Sequence, residues 1–285
     1  MGIDIHALNF LRYASKKKRL GGVATIGRQI LAIPPGRLSK LMRIPEKREF
    51  GPFCEEFLTE HLDAKFVDSY DNSDYEGATH LADLNEPIIP EKKYETVIDC
   101  GCVEHIYNVP QALTNISLLC ANGAQIIHVL PANNFCGHGF WQFSPELFFS
   151  LYSRINGYAE TEVFLADLRN QREWFEVKQP KNGERAQVIS KSPLYIMCRT
   201  VKTSDFSHRN IQQSDYVHMW GLDSKIPRNE NEIIAIVKRI IKKNPLLYRL
   251  ALTAQGTVRG MMNPIKLSNR NRHLRKQNVS ELLAS

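Results

Sequence analysis

Apolar and polar residues alternate in blocks that change period along the chain. Ile5, Leu8, Leu11 and Ala14 recur at helical spacing and predict a short leading helix between Gly2 and Lys18. Gly21-Gly22 breaks it, and Val23 to Ile26 reads as a short buried strand. Residues 27 to 52 are rich in Pro, Gly and Arg, which predicts irregular chain with one helical turn near Leu38 to Met42. A helix over Phe53 to Leu62, a strand over Ala64 to Tyr70, a turn at Asp71-Asn72-Ser73-Asp74 and a short strand over Thr79 to Leu84 follow. The central block is better marked. Tyr94 to Asp99 is a β-branched strand, and Ala112, Leu113, Ile116 and Leu119 define a helix over Val109 to Cys120, stopped by Asn122-Gly123. Ala124 to Leu130 is a strand. Ser144-Pro145 opens a helix running to about Ile155, with Ser144 as its cap and Asn156-Gly157 closing it. Tyr158 to Leu165 and Leu194 to Val201 are the last strands, joined by a long polar loop.

Strands alternating with helices predict an α/β fold, a doubly wound and mostly parallel seven-stranded sheet whose last strand runs antiparallel. After residue 205 the pattern changes. The expected division is an α/β domain over 1–205 and a basic, largely helical C-terminal extension over 206–285. In that extension 208–229 reads as a loop, Glu230 to Lys243 as a basic amphipathic helix, Leu246 to Met262 as a second helix, and the rest, from Asn263, as loose polar chain.

Charge sharpens this division. Between Lys225 and Lys276 thirteen Lys and Arg face only Glu230 and Glu232, an excess of eleven against a whole-chain net of +7, so the remainder stands at −4. The basic apolar stripe must cover something: packing on the domain ranks first, an anionic membrane surface second, and nucleic acid last, because base stacking needs aromatic residues the tail lacks beyond Tyr248. No apolar run approaches the roughly 20 residues of a membrane-spanning helix, and the basic cluster near the N-terminus follows the apolar stretch, the reverse of a secretory signal. The expected location is cytoplasmic, with the basic helices able to touch the inner face of a membrane. Six cysteines in 285 residues are too few for a disulfide scaffold. Cys100 and Cys102 are separated by one residue, too close for a zinc knuckle, so the Cys and His residues predict no metal.

In a doubly wound sheet, ligands bind beyond the carboxyl ends of the strands, where strand order reverses. Gly27-Arg28-Gln29, Asp71, Asp83-Leu84 and Cys100-Gly101-Cys102-Val103-Glu104-His105 all fall there. A glycine after the first strand lets backbone approach a ligand, and a carboxylate after the second suits ribose hydroxyls.

With those residues placed, YETVIDCGCVEHIYNVPQALTNISLLCANGAQIIHVLPANN resembles the fourth and fifth strands, and the Glu-His between them, of class I S-adenosylmethionine-dependent methyltransferases. DNSDYEGATHLADLNEPI and GHGFWQFSPELFFSLYSRINGY are similar to a subgroup associated with surface-polysaccharide biosynthesis. The resemblance spans about Val23 to Val201. It implies a Rossmann-like methyltransferase fold, S-adenosylmethionine as cofactor, and a transferase acting on a hydroxyl of a sugar or glycoconjugate. Gly27, Arg28, Asp71, Asp83, Leu84, Cys100 and Gly101 would line the cofactor, while Glu104, His105 and His138 would face the acceptor as catalytic groups. Trp141 and Phe140 could stack on a sugar ring. The first motif departs from the family: TIGRQIL has one glycine and no preceding acid. The alternative is therefore an inactive binding module on the same fold, recruiting a partner or an anionic surface.

Overall fold

The computed structural model describes residues 2–45, 48, 50–206, 211–225, 244–247, 249–250 and 265–285. A two-residue strand, β1 (Gly2–Ile3), leads into α1 (Ile5–Lys17). Asp4 caps α1 by accepting from the amides of His6 and Ala7, both at 2.9 Å. Then come β2 (Gly21–Ile26), β3 (Ile30–Leu31), α2 (Pro35–Met42), α3 (Glu55–His61), β4 (Ala64–Asp71), β5 (His80–Leu81) and β6 (Tyr94–Cys100). The second half continues with α4 (Val109–Leu119), β7 (Cys120–Pro131), α5 (Pro145–Leu151), β8 (Tyr158–Asp167), β9 (Glu173–Val177), β10 (Leu194–Lys202), α6 (Ser214–Lys225) and β11 (Leu274–Asn278).

The main sheet has nine strands in the order β11-β9-β8-β10-β7-β6-β2-β4-β5, and β1 pairs with β3 apart from it. The strands from β5 to β7 are mutually parallel, and β10 runs antiparallel to both β7 and β8. The antiparallel seventh strand is as expected, but the strand count is not. Glu173–Val177 forms β9 inside the long polar loop, and Leu274–Asn278 returns as β11, antiparallel to β9, from a stretch expected to be loose. Helix α6 likewise lies where a loop was expected. The basic helix expected over 230–243 lies outside the described residues, as does most of the second. Among the described residues no helix is long and apolar enough to cross a membrane.

Successive residues of the central strands face opposite sides, so each strand feeds two cores. Val97 and Ile126 pack with Ala112, Leu113, Ile116 and Phe148 on the α4/α5 face. Ile98 and Ile127 pack with Leu8, Leu11, Phe57 and Trp174 on the α1/α3 face. Strands buried on both sides explain why their sequences read as continuous apolar runs. Two local expectations change. Helix α4 ends at Leu119, and Asn122-Gly123 sits within β7, where pairing jumps from Tyr94↔Cys120 to Thr96↔Gln125 and Gly123 takes φ +81°. Ser144 precedes α5 in extended backbone but makes no side-chain capping bond, and that helix stops at Leu151.

Candidate active site at the carboxyl ends of the strands

Strand β2 lies between β4 on one side and β6 on the other, so the chain reverses its direction across the sheet between β2 and β6. Gly27 sits at that point. Its amide donates to the Tyr70 carbonyl at 2.8 Å, its φ is +70°, and a Cβ there would stand 3.2 Å from Cys102 Sγ. The turn after β2 therefore touches both β4 and the loop after β6, and only glycine fits it without strain.

Asp71, at the end of β4, is half-buried. It accepts from the Arg28 amide at 3.4 Å and the Ser73 amide at 3.2 Å. Asp68, the neighbouring acid, is engaged elsewhere, with Lys92 at 2.6 Å and the Tyr94 hydroxyl at 2.7 Å. The Arg28 guanidinium is taken up by protein: it donates to Glu55 Oε1 at 2.7 Å and the Gly77 carbonyl at 3.0 Å, and lies 4.0 Å over the Phe53 ring. Gln29 is buried beside Gly27. Its amide nitrogen donates to the Ile26 carbonyl at 2.6 Å, while Oε1 has no hydrogen-bond partner among the described residues.

Asp83 is exposed, and hydrogen bonds from the Asn85 amide and side chain hold its carboxyl below its usual range. Leu84 and Cys100 depart from the expected role. Their side chains are buried in the α4/α5 and α1/α3 cores respectively, so neither side chain lines the crevice. Burial pushes the Cys100 thiol well up, which keeps it a neutral packing group. Gly101 follows with φ +83°.

The loop after β6 is held from below by a buried chain of polar groups that sequence reading missed. Asp99 Oδ1 accepts from the amides of Cys102 at 3.0 Å and Val103 at 3.3 Å. Its other oxygen lies 2.9 Å from His128 Nδ1, and His128 Nε2 lies 2.7 Å from the Tyr152 hydroxyl. Asp99 and His128 are both wholly buried. An acid closing an apolar strand and a histidine inside the next, AQIIHVL, were the available signals.

This arrangement fixes the one-turn 3-10 segment Val103–His105. The loop after β7 is stapled onto it: the Phe140 amide donates to the Glu104 carbonyl at 2.7 Å, and a Cβ on Gly139 (φ +69°) would come within 2.8 Å of Glu104 Cγ. His138 Nε2 is thereby brought to 3.4 Å from Glu104 Oε1, and His105 Nε2 stands 3.9 Å from the same atom. The two imidazoles meet edge to face at 5.0 Å. Thus all three residues expected on the acceptor side converge. Both histidine side chains are 43% exposed and the Glu104 side chain 1%. Glu104 Oε2 has no hydrogen-bond partner among the described residues. Burial first, and the Asp99 charge second, push the Glu104 carboxyl up to about 8. Burial first, and then His138, lower the pKa of His105, favouring the neutral base. Exposed Tyr107, Phe140 and Trp141 flank the cluster, with the Trp141 indole N–H donating to the Ile106 carbonyl at 3.0 Å.

No family model matches the chain, and no curated protein matches it in sequence. Among solved structures it is similar to the N-methyltransferase NodS from Bradyrhizobium japonicum WM9, at 11% identity over 70% of this chain and 94% of that one, with a TM-score of 0.39. It is also similar to TehB from Haemophilus influenzae, at 13% identity over 68% and 62%, TM-score 0.40. A third likeness is to 1,6-didemethyltoxoflavin-N1-methyltransferase from Burkholderia thailandensis, whose structure holds its substrate and S-adenosylhomocysteine, at 14% identity over 70% and 78%, TM-score 0.39.

Proposed function

We propose that this chain is an S-adenosylmethionine-dependent methyltransferase acting on a hydroxyl of a sugar or glycoconjugate. The observation that carries this reading is the meeting of Gly27, Asp71 and Gly101 at the reversal point of the sheet, with Glu104, His105 and His138 beside it. The residues suit the cofactor: Gly27 leaves open a turn that a Cβ would crowd, Asp71 offers a carboxylate to ribose hydroxyls, and the unpartnered Gln29 Oε1 supplies an acceptor for an amino group. When bound, the cofactor supplies an activated methyl group. The chain's own part is to align an acceptor and receive its proton. A neutral His105 can accept that proton, and Glu104 orients the neighbouring imidazole of His138. The exposed rings of Tyr107, Phe140 and Trp141 offer apolar faces to a sugar.

Calorimetric titration with S-adenosylmethionine and its demethylated product tests the reading. Saturable binding of both, weakened about tenfold or more in Asp71→Ala for the loss of a charged hydrogen-bond acceptor, is the expected result. A folded sample that binds neither would overturn it.

A further inference from the structure

We infer that Glu104, His105 and His138 form a binding site for one divalent transition-metal ion of the zinc class. One ligand atom from each of the three lies within 4.8 Å of the other two. Tetrahedral bonds of about 2.0–2.1 Å place ligand atoms roughly 3.3 Å apart. The Glu104–His138 contact of 3.4 Å already meets that spacing, and the His105 ring, 3.9 Å from Glu104, would move inward to complete it.

The carboxylate is the second observation. Glu104 is 1% exposed, and its Oε2 finds no hydrogen-bond partner among the described residues. A buried acidic oxygen without a partner is costly to keep, and a bound cation is one of the few things that compensates it. The backbone is prepared as well. Asp99 fixes the turn that carries Glu104 and His105, and the Phe140 amide with Gly139 holds the His138 loop against that same turn. Three ligands from two loops are therefore positioned before any ion arrives. Two imidazoles and one carboxylate favour zinc, iron, cobalt or nickel over magnesium or calcium, which prefer oxygen ligands throughout.

Both histidines face solvent while the carboxylate lies beneath them, so the outer side of such an ion is open. A site with three protein ligands and an open position is the catalytic rather than the structural kind. There an ion can polarise an acceptor hydroxyl so that its proton leaves to solvent, in place of His105, whose nitrogen the ion then occupies. That use rests on the methyl-transfer reading; the binding itself does not, and it is measured without any methyl donor.

The test is competition of the full chain against a chromophoric chelator for Zn²⁺, together with visible absorption of the Co²⁺ form. One equivalent should bind, with cobalt bands typical of low coordination number. His138→Ala, His105→Ala and Glu104→Gln should each weaken binding by more than about 100-fold, as loss of a ligand must exceed the 10–100-fold range seen for supporting partners. Cys136→Ser, which alters the exposed thiol of the same loop, should leave affinity unchanged. The histidine variants remove exposed groups, so their metal-free melting temperatures should match the parent, and only the parent should gain stability from Zn²⁺. Absence of stoichiometric binding, or binding that survives both histidine variants or disappears in Cys136→Ser, would overturn the inference.

Discussion

Replacing Glu104 by glutamine should flatten the pH dependence of stability. The carboxyl titrates at about 8 in the folded chain against 4.5 when unperturbed, because it is buried and faces Asp99. Between those values the native state holds a proton that the unfolded chain has released. Stability contributed by this group is therefore fully present below pH 4.5 and is lost as the pH rises towards 8, at about 1.4 kcal/mol per pH unit. From pH 5 to pH 8 the loss is on the order of 4 kcal/mol, a large share of the roughly 5–15 kcal/mol that holds a domain folded. Glutamine fills nearly the same volume and cannot ionise. Burial lowers the pKa of His6, His105 and His273, which gives the opposite slope near neutrality, with stability gained as the pH rises through the histidine range. The His6 and His273 contributions cancel when variant and parent are subtracted, and repeating the comparison in a His105→Ala background removes the third. The assay is urea unfolding at pH 5, 6, 7 and 8 with a chelator present. The variant should match the parent within about 1 kcal/mol at pH 5 and exceed it by roughly 3–4 kcal/mol at pH 8. Parallel curves across the series would refute a buried, uncompensated carboxyl at this position.

Two further substitutions probe the frame of the site. Gly27→Ala places a Cβ 3.2 Å from Cys102 Sγ in backbone of positive φ, which should cost about 1–2 kcal/mol in urea unfolding and abolish calorimetric binding of S-adenosylmethionine. His128→Leu strips the wholly buried Asp99 of its partner and should cost about 3–5 kcal/mol; a loss below 1 kcal/mol would mean that Asp99 is satisfied by the Cys102 and Val103 amides alone.

Most of the central sheet is legible in the sequence, and the reason is burial on two faces. Runs such as VATI and TVID, with helical spacing in between, leave few alternatives to a parallel sheet. The outer strands carry no such signal. EWFEV sets two adjacent aromatic residues between glutamates, without period-two alternation, and LRKQN has one apolar side chain, Leu274, to bury. Edge strands of this kind are specified by their partner, not by their own pattern. The site divides in the same way. Glu104 and His105 are legible because they directly follow a buried strand. That His138 meets them depends on Gly139 lying against Glu104, a tertiary contact between residues 35 positions apart that leaves no local trace. Cys100 sits at the expected strand end, but alternation turns its side chain into the α1/α3 core, and Leu84 lies in a turn beyond the short β5 with its side chain in the α4/α5 core. Sequence position gives the end of a strand; the pleat decides which way the residue looks.

The pairing of β11 with β9 has a consequence for synthesis. The Gln277 side chain, whose Nε2 donates to Glu176 Oε2, belongs to a residue made 101 positions later. At about 5–20 residues per second, a ribosome exposes β9 for roughly 5–20 s before the strand that covers it exists. During that interval the edge of the sheet offers unpaired amides and carbonyls beside Trp174 and Phe175. Crowding of nascent chains on one message would expose this edge to its copies, and a nascent-chain chaperone would find its substrate there.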